Sequence, residues 1–307
     1  MLLFIIRRVL WTLLIVFLLT SVTFFLVRGM PGDPFASDKA MPEHIEKQLN
    51  ENYGLDKPQF FQYLDYWKQV LKGDLGPSYS LQNYSVSEII KTSFPISLTL
   101  GISAFIFGVA LGIPIGFISA LNKHNWIDHV SMLLAVIGIC VPSFVLAPLF
   151  QVFLAKNVSW MSVAGWSNPA DWILPTITLG VGLAAYVSRL TRSSVIEVLA
   201  QDYIRTARAK GASTMSILFK HALRPSLRPT ITYLGPAFAS IITGSFVIEN
   251  IFQVPGMGQH FVNSVTSQDY MLLQGLVMFY GIIIAGSNLI SDLLIIAMNP
   301  QLRKGAL

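Results

Sequence analysis

Residues 95–121 read PISLTLGISAFIFGVALGIPIGFISAL, an unbroken run without a single charged side chain. An α-helix needs about 20 apolar residues to cross the hydrocarbon core of a bilayer. Because lipid cannot satisfy backbone N–H and C=O groups, such a segment has to be helical, and it tolerates Pro114 when neighbouring helices compensate. Gly108, Gly112 and Gly116 recur every four residues, which allows another helix to approach closely. The stretch therefore predicts a tightly packed transmembrane helix.

Five more stretches lack charge in the same way, and together they set the fold class. They are Val9–Val27, Val130–Ala155, Trp172–Ser188, Pro229–Ile248 and Tyr270–Ser291. Over the whole chain 53% of residues are hydrophobic and 12% are charged, whereas soluble domains carry about 25% charged residues. The sequence predicts an all-α integral membrane protein with six transmembrane helices, the first of them retained rather than cleaved as a signal peptide.

Basic residues cluster in alternate connecting segments, which predicts how the chain is oriented. Arg7 and Arg8, then Lys123, a dense set within 189–228, and the pair Arg303–Lys304 fall on one side. Since basic residues near helix ends prefer the cytoplasm, both termini are expected on the cytoplasmic side of an inner membrane. Topology accounts for the net charge of +5, so nucleic-acid binding is not needed to explain it.

A long segment between the first two spans divides the chain. Residues 1–94 would comprise the first transmembrane helix and a large periplasmic loop. In that loop, Glu43–Asn52 and Phe60–Leu71 have the apolar spacing of helices. Residues 95–307 would form a core of five transmembrane helices that includes a cytoplasmic loop at 189–228.

This cytoplasmic loop has the pattern of two short helices separated by a glycine. Asp202 is expected to cap a helix that starts at Tyr203, Gly211 to stop that helix, and Ser213 to cap the next one. Between two membrane spans this makes a rigid knob, on which small side chains such as Ala207 let another protein approach the backbone. The alternative is a basic amphipathic loop that only touches lipid headgroups.

The loop resembles the signature of permease subunits of ATP-binding-cassette importers. That signature is Glu-Ala-Ala, three residues, Gly, and further on an apolar residue and Pro. The matching positions here are Thr206, Ala207, Arg208 and Gly211, with Leu223–Pro225 downstream. Thr206 departs from the glutamate of the general form, but the sequence YIRTARAKG that contains it is similar to the variant of peptide and nickel permeases.

Four further motifs extend the resemblance nearly end to end. They are Gly32–Phe35, Gly73–Ser78, Gly244–Glu249 and Val254–Gly258. Together they resemble the B-type permease of oligopeptide importers more than sugar or amino-acid permeases.

The resemblance implies a type I importer core that works by alternating access. Its implied partners are a second homologous permease subunit, two cytoplasmic ATPase subunits, a periplasmic or lipid-anchored peptide-binding protein and a peptide substrate. Oligopeptides fit best, with dipeptides, murein peptides or nickel chelates as alternatives. The residues implied to couple the chain to the ATPases are Tyr203, Arg205, Thr206, Ala207, Arg208, Lys210 and Gly211.

The sequence also argues against chemistry within this chain. No Gly-x-x-x-x-Gly-Lys-Ser/Thr sequence occurs, so ATP and magnesium are expected on the partner ATPases and no cofactor is expected here. The five histidines lack metal-ligand spacing, and the single cysteine, Cys140, can form no disulfide within the chain. We therefore expect a transporter subunit and not an enzyme, with neither catalytic nor metal-binding residues.

Polar residues in or near the last two spans are candidates for the translocation path or its gating, because such groups are costly in lipid. They are Ser240, Thr243, Glu249, Ser287, Asn288 and Asp292. Glu249 has an alternative role in capping the backbone amides of Gly256, and Asp292 has one in pairing with a basic residue of the inner loop. An ion-coupled secondary transporter would also use buried acidic residues, but the sequence shows no internal repeat of the kind common in that class.

Overall fold

The computed structural model describes residues 2–29, 47–48, 54–81, 83–158 and 160–298. Within these ranges the regular elements are helical, apart from an isolated bridge between Pro77 and Ser85. The α-helices of six or more residues are α1 (Leu2–Arg28), α2 (Gln59–Leu71), α3 (Val86–Leu121), α4 (Trp126–Cys140), α5 (Ser143–Phe150), α6 (Ile173–Leu199), α7 (Asp202–Ala209), α8 (Leu223–Gly244), α9 (Phe246–Ile251), α10 (Met257–Thr266) and α11 (Tyr270–Met298). Among the described residues, five helical segments are long and apolar enough to cross a membrane, or six if a bent pair counts as one span.

Helix α3 is the longest element and begins earlier than its apolar run predicts. Its start is fixed by Ser85, whose Oγ accepts the N–H of Glu88 at 3.2 Å while the Glu88 carboxylate accepts the N–H of Ser85 at 3.1 Å. This reciprocal cap satisfies two backbone donors that would otherwise lack partners. With 36 residues the helix is about 54 Å long, so it extends beyond the hydrocarbon core.

The glycine series of α3 forms a close contact with α6, as the sequence predicts. A Cβ placed on Gly108 would lie 2.7 Å from Leu183 Cδ2, one on Gly112 would lie 2.7 Å from the carbonyl oxygen of Ala184, and one on Gly116 would lie 2.6 Å from that of Ser188. No side chain fits at these distances. Gly112 and Gly116 therefore let the backbone of α3 approach the backbone of α6, and Gly108 makes room for the Leu183 side chain.

The third predicted span, Val130–Ala155, is wrong as a single helix. Helices α4 and α5 meet at an angle of 106° across a short break, and a π-helical turn at Gln151–Ala155 continues α5. Val141 precedes a proline, which disfavours helical dihedrals, and it is extended with φ −86° and ψ 116°. Pro142 also lacks the N–H that would continue the helix, so the chain turns there.

The fourth predicted span ends too early at Ser188. Helix α6 continues through Arg189 and Arg192 as far as Leu199. Arg189 is exposed and Arg192 is bound by a carboxylate of α4. The fifth span begins earlier than predicted, since a π-helical turn at Ile217–Ala222 leads directly into α8.

Helix α2 packs along α1, and this confirms the helix predicted at Phe60–Leu71. Tyr63 Oη lies 2.7 Å from Ser21 Oγ, and the rings of Trp67 and Phe17 are 5.1 Å apart. Except for residues 47–48, the helix predicted at Glu43–Asn52 lies outside the described residues. The outer connection between α1 and α3 is therefore anchored on the side of the first span.

Candidate functional site

The candidate site centres on α7. This helix lies at the end of the bundle where α1 begins and where α3 and α6 end. We call this the basic end. Only Ala200 and Gln201 separate α6 from α7. The prediction that Asp202 caps the helix is wrong, because Gln201 occupies the cap position without a side-chain bond and Asp202 is the first helical residue. The Asp202 carboxylate instead lies 3.4 Å from Arg205, in the first turn, where the helix dipole favours an anion.

A single apolar side chain fixes the orientation of α7. Ile204 is 0% exposed, whereas most residues on either side of it face outward. Of the predicted coupling residues, Ala207 is half-buried and the others are exposed: Tyr203, Arg205, Thr206, Arg208, Lys210 and Gly211. The structure therefore brings all seven onto α7 and the turn that ends it, and the exposed surface there is basic.

Gly211 ends α7 as predicted. Its φ of +82° is the left-handed conformation that favours glycine, and its N–H donates to the Arg208 carbonyl at 2.9 Å. The next amide, of Ala212, donates to the Ala207 carbonyl at 3.1 Å. A Cβ on Gly211 would meet nothing within 4 Å, so the space in front of the backbone is open.

The segment after Gly211 returns the chain to the membrane. Ser213 Oγ accepts the N–H of Ser216 at 3.3 Å, which agrees with the predicted cap. Ile217 and Leu218 are buried, whereas Met215 and Phe219 are each 64% exposed. The basic end thus presents two large apolar side chains beside the cationic surface of α7.

An ion pair behind α7 is a feature that the sequence reasoning missed. Asp128, only 3% exposed, accepts two N–H bonds from Arg192, at 2.6 Å from Nε and 2.7 Å from Nη2. The same carboxylate accepts Ser119 Oγ at 2.5 Å and the N–H of His124 at 3.0 Å. Opposite charges at the same end of two adjacent spans were the only sequence signal, and their pairing depends on how α4 packs on α6.

Glu249 lies inside the bundle, 0% exposed, and the structure joins it to the motif that follows it. Its carboxylate accepts Ser245 Oγ at 2.5 Å and the N–H of Gly258 at 2.7 Å, so the amide it binds is not that of Gly256 as predicted. Ser97 Oγ of α3 accepts the N–H of Met257 at 2.9 Å, which ties the same turn to α3. A buried carboxylate held by several donors fixes the start of α10.

The remaining polar candidates do not converge on one point. Ser240 and Asn288 are exposed and Ser287 is half-buried. Thr243 donates to the Ala239 carbonyl of its own helix at 2.9 Å. Asp292 lies 3.1 Å from Arg8, so it pairs with α1 and not with the inner loop that the sequence suggested. Their assignment to a translocation path stays a prediction.

At the end of the bundle opposite α7, Asp269 organises the loop between α2 and α3. The sequence reasoning did not identify this residue. Its Oδ2 accepts Ser78 Oγ at 2.5 Å and the N–H groups of Tyr79 at 2.9 Å and Ser80 at 3.0 Å. Its Oδ1 accepts the N–H of Leu272 at 3.0 Å in the first turn of α11. One buried carboxylate therefore holds the end of the Gly73–Ser78 motif against the last span. Among the residues that the structure describes, no cluster of His, Cys, Asp or Glu has the makings of a metal site.

Comparison with known families and proteins agrees with this architecture. Residues 112–304 match the model of the binding-protein-dependent transport system inner membrane component, and residues 1–101 match the corresponding N-terminal model. The chain is 42% identical to the dipeptide transport system permease protein DppB of Bacillus subtilis, over 94% of both chains. It is 42% identical to the oligopeptide transport system permease protein OppB of Haemophilus influenzae and 41% identical to that of Escherichia coli, in each case over 99% of this chain and 100% of the relative.

Solved structures show the same fold at low sequence identity. A chain of the MetNI methionine ABC transporter, in an inward-facing conformation, aligns with a TM-score of 0.57 at 16% identity, covering 69% of this chain and 96% of the other. A chain of an amino acid ABC transporter aligns with a TM-score of 0.55 at 15% identity, covering 68% and 94%. The apolar spans and these matches make the protein a multi-pass membrane protein. The chain therefore belongs to the family of binding-protein-dependent transport system inner membrane components.

Proposed function

We propose that this chain is the transmembrane permease subunit of an ATP-binding-cassette importer that moves oligopeptides across the inner membrane. The observation that carries the proposal is α7, a short basic helix anchored by Ile204 at the end of a membrane span, with open space in front of Gly211. Similarity to oligopeptide permeases over nearly the whole chain supports the same conclusion.

The energy source lies outside this subunit. Because the sequence lacks a phosphate-cradling Gly-x-x-x-x-Gly-Lys-Ser/Thr segment, two partner ATPase subunits bind ATP and magnesium, and this chain carries no cofactor. A second, homologous permease completes the translocation path. A periplasmic or lipid-anchored binding protein delivers the peptide to the outer loops.

The orientation follows from the basic end. Arg205, Arg208 and Lys210 are exposed there, just after the end of α6. Basic residues close to membrane spans favour the cytoplasmic side, so both termini and α7 face the cytoplasm. The outer loop held by Asp269 then faces the periplasm.

Transport proceeds by alternating access. Closure of the ATPases moves α7, whose cationic side chains meet acidic groups on the partner and whose glycine allows close backbone approach. The membrane helices then open alternately to each side, and Ser240, Thr243, Ser287 and Asn288 are the candidate polar lining of the path. Glu249 and Asp292 are candidates for gating at the two ends.

Oligopeptides are the proposed substrate, because the resemblance extends through the outer loop and the fifth span. Dipeptides are the first alternative, since the Bacillus subtilis relative named for dipeptide transport is 42% identical. Murein peptides and nickel chelates follow. An ion-coupled secondary transporter is the alternative from a different class.

Uptake of a labelled pentapeptide tests the proposal, in cells lacking the gene and in complemented cells, each with and without vanadate. We expect uptake that depends on the gene and is blocked by vanadate. Uptake that ignores vanadate and collapses with a proton uncoupler would favour the secondary transporter. Absence of gene-dependent pentapeptide uptake would move the substrate assignment to dipeptides or nickel chelates.

A further inference from the structure

We infer that the ion pair between Asp128 and Arg192 is the joint through which movement of α7 reaches the membrane helices, so that both are positioning residues for transport. This inference rests on the proposed function. It concerns residues outside the surface that would contact the ATPases.

The geometry of the pair fixes the relative orientation of α4 and α6 as well as their separation. Arg192 offers two N–H groups of one planar guanidinium to one carboxylate, at 2.6 and 2.7 Å, and such a bidentate contact resists rotation about either bond. Arg192 lies seven residues, or about 10 Å along the helix axis, before the end of α6, and Ala200 and Gln201 then lead into α7. A displacement of α7 therefore acts on α6 close to the pair.

The pair also joins three helices at one point. Asp128 belongs to α4, Arg192 to α6, and Ser119, whose hydroxyl donates to the same carboxylate, to α3. Along α4, ten residues or about 15 Å from Asp128, a Cβ on Gly138 would lie 2.9 Å from Ala185 Cβ of α6. Because α4 contacts α6 near both of its ends, we expect the two helices to move together. Helix α3 packs on α6 through its glycines, so α3, α4 and α6 form one block.

The segment that follows α7 leads to α8. Through the turn at Ile217–Ala222 it continues into α8, where Gly235 packs directly against Ser291 of α11. Residues 200–222 therefore connect α6 with α8, and α8 also packs on α6 directly, where Thr230 Oγ1 lies 3.1 Å from Thr191 Oγ1. A displacement of α7 reaches α4 through the contact of Arg192 with Asp128. Without the ion pair, the last turns of α6 remain joined to α8 through Thr191, but α4 no longer follows their movement.

The chain offers a matched control for this inference. Arg189 lies one turn before Arg192 on the same helix, carries the same charge and is exposed. Arg192→Gln and Asp128→Asn each remove one charge of the pair while keeping similar volume. Arg189→Gln removes an equal charge without touching the joint. Arg192→Lys keeps the charge but replaces the bidentate contact with a point contact.

The experiment measures peptide transported per ATP hydrolysed by the complete importer, assembled with its partner subunits in proteoliposomes. We expect the ratio to fall by roughly tenfold in Arg192→Gln and Asp128→Asn, which lies within the usual range of coupling between sites. ATP hydrolysis itself should persist in both. Arg192→Lys should give an intermediate ratio, and Arg189→Gln should match the wild type.

Two outcomes would overturn the inference. One is an unchanged transport-to-ATP ratio in both charge-removing variants. The other is failure of Asp128→Asn, Arg192→Gln and Arg192→Lys to accumulate in the membrane, since that would assign the pair to folding alone. The wild-type arm tests the proposed function separately. Absence of ATP-driven peptide transport there would refute that function, and with it the basis of this inference.

Discussion

Replacing Gly211 by aspartate should stop transport while leaving the protein folded in the membrane. The structure supports the second part, because a Cβ on Gly211 would meet nothing within 4 Å. The remaining folding cost comes from the φ of +82°, because a left-handed backbone costs an L-residue about 1 kcal/mol. Aspartate tolerates this conformation better than most residues. The functional cost is larger, since a carboxylate enters the surface where the ATPase should approach the backbone. Burying one unpaired charge there costs about 3 kcal/mol, or roughly a 100-fold loss of coupling.

Gly73 in the outer loop provides the matched control. Its φ is +79° and a Cβ placed on it also meets nothing within 4 Å, so Gly73→Asp carries the same backbone strain and the same new charge. The assay compares vanadate-sensitive pentapeptide uptake with the amount of each variant in the membrane. We expect Gly211→Asp to accumulate like Gly73→Asp but to lose uptake. The neutral variant Gly211→Asn should retain part of it.

Two results would refute this reasoning. Uptake at the wild-type level by Gly211→Asp would remove α7 from the ATPase contact. Equal loss of uptake in Gly73→Asp and Gly211→Asp would attribute the effect to the left-handed backbone and not to the position of the charge.

Three further predictions concern the anchor of α7, the packing of α3 on α6, and a histidine of α10. Ile204→Ala, which truncates the buried anchor of α7, should cost about 2–4 kcal/mol locally and speed tryptic cleavage at Arg205 and Arg208; unchanged cleavage would contradict the anchoring role. Gly112→Leu should prevent α3 from packing on α6 and lower the melting temperature in detergent, whereas a melting temperature equal to the wild type would refute the contact. His260 lies outside the membrane spans, and burial lowers its pKa. The unfolded chain therefore binds a proton at His260 more readily than the folded chain, and the free energy of unfolding should fall as the pH drops below about 6.5. In thermal unfolding measurements between pH 7.5 and 5.5, His260→Gln should lose less stability on acidification than the wild type. An identical pH profile for the two proteins would contradict a role for His260.

Local sequence patterns were sufficient where the structure depends on local chemistry. The apolar runs located the spans, because hydrocarbon thickness sets their length regardless of what packs beside them. Gly211 marked the end of α7, because a left-handed backbone conformation needs no distant partner. Boundaries were less reliable. The run Val130–Ala155 concealed a bend of 106°, since uncharged composition says nothing about the direction of a chain at Pro142.

The sequence by itself determined the all-helical membrane class, the positions of the apolar spans and the basic helix with its terminal glycine. The tertiary structure decided which polar groups are neighbours. Asp128 and Arg192 are separated by 64 residues, and Asp269 and Tyr79 by 190, so helical spacing could not pair them. Each contact exists because packed helices bring a buried carboxylate to its donors, where an unpaired charge would be costly. Helix formation is encoded locally, whereas the satisfaction of buried charges depends on how the helices meet.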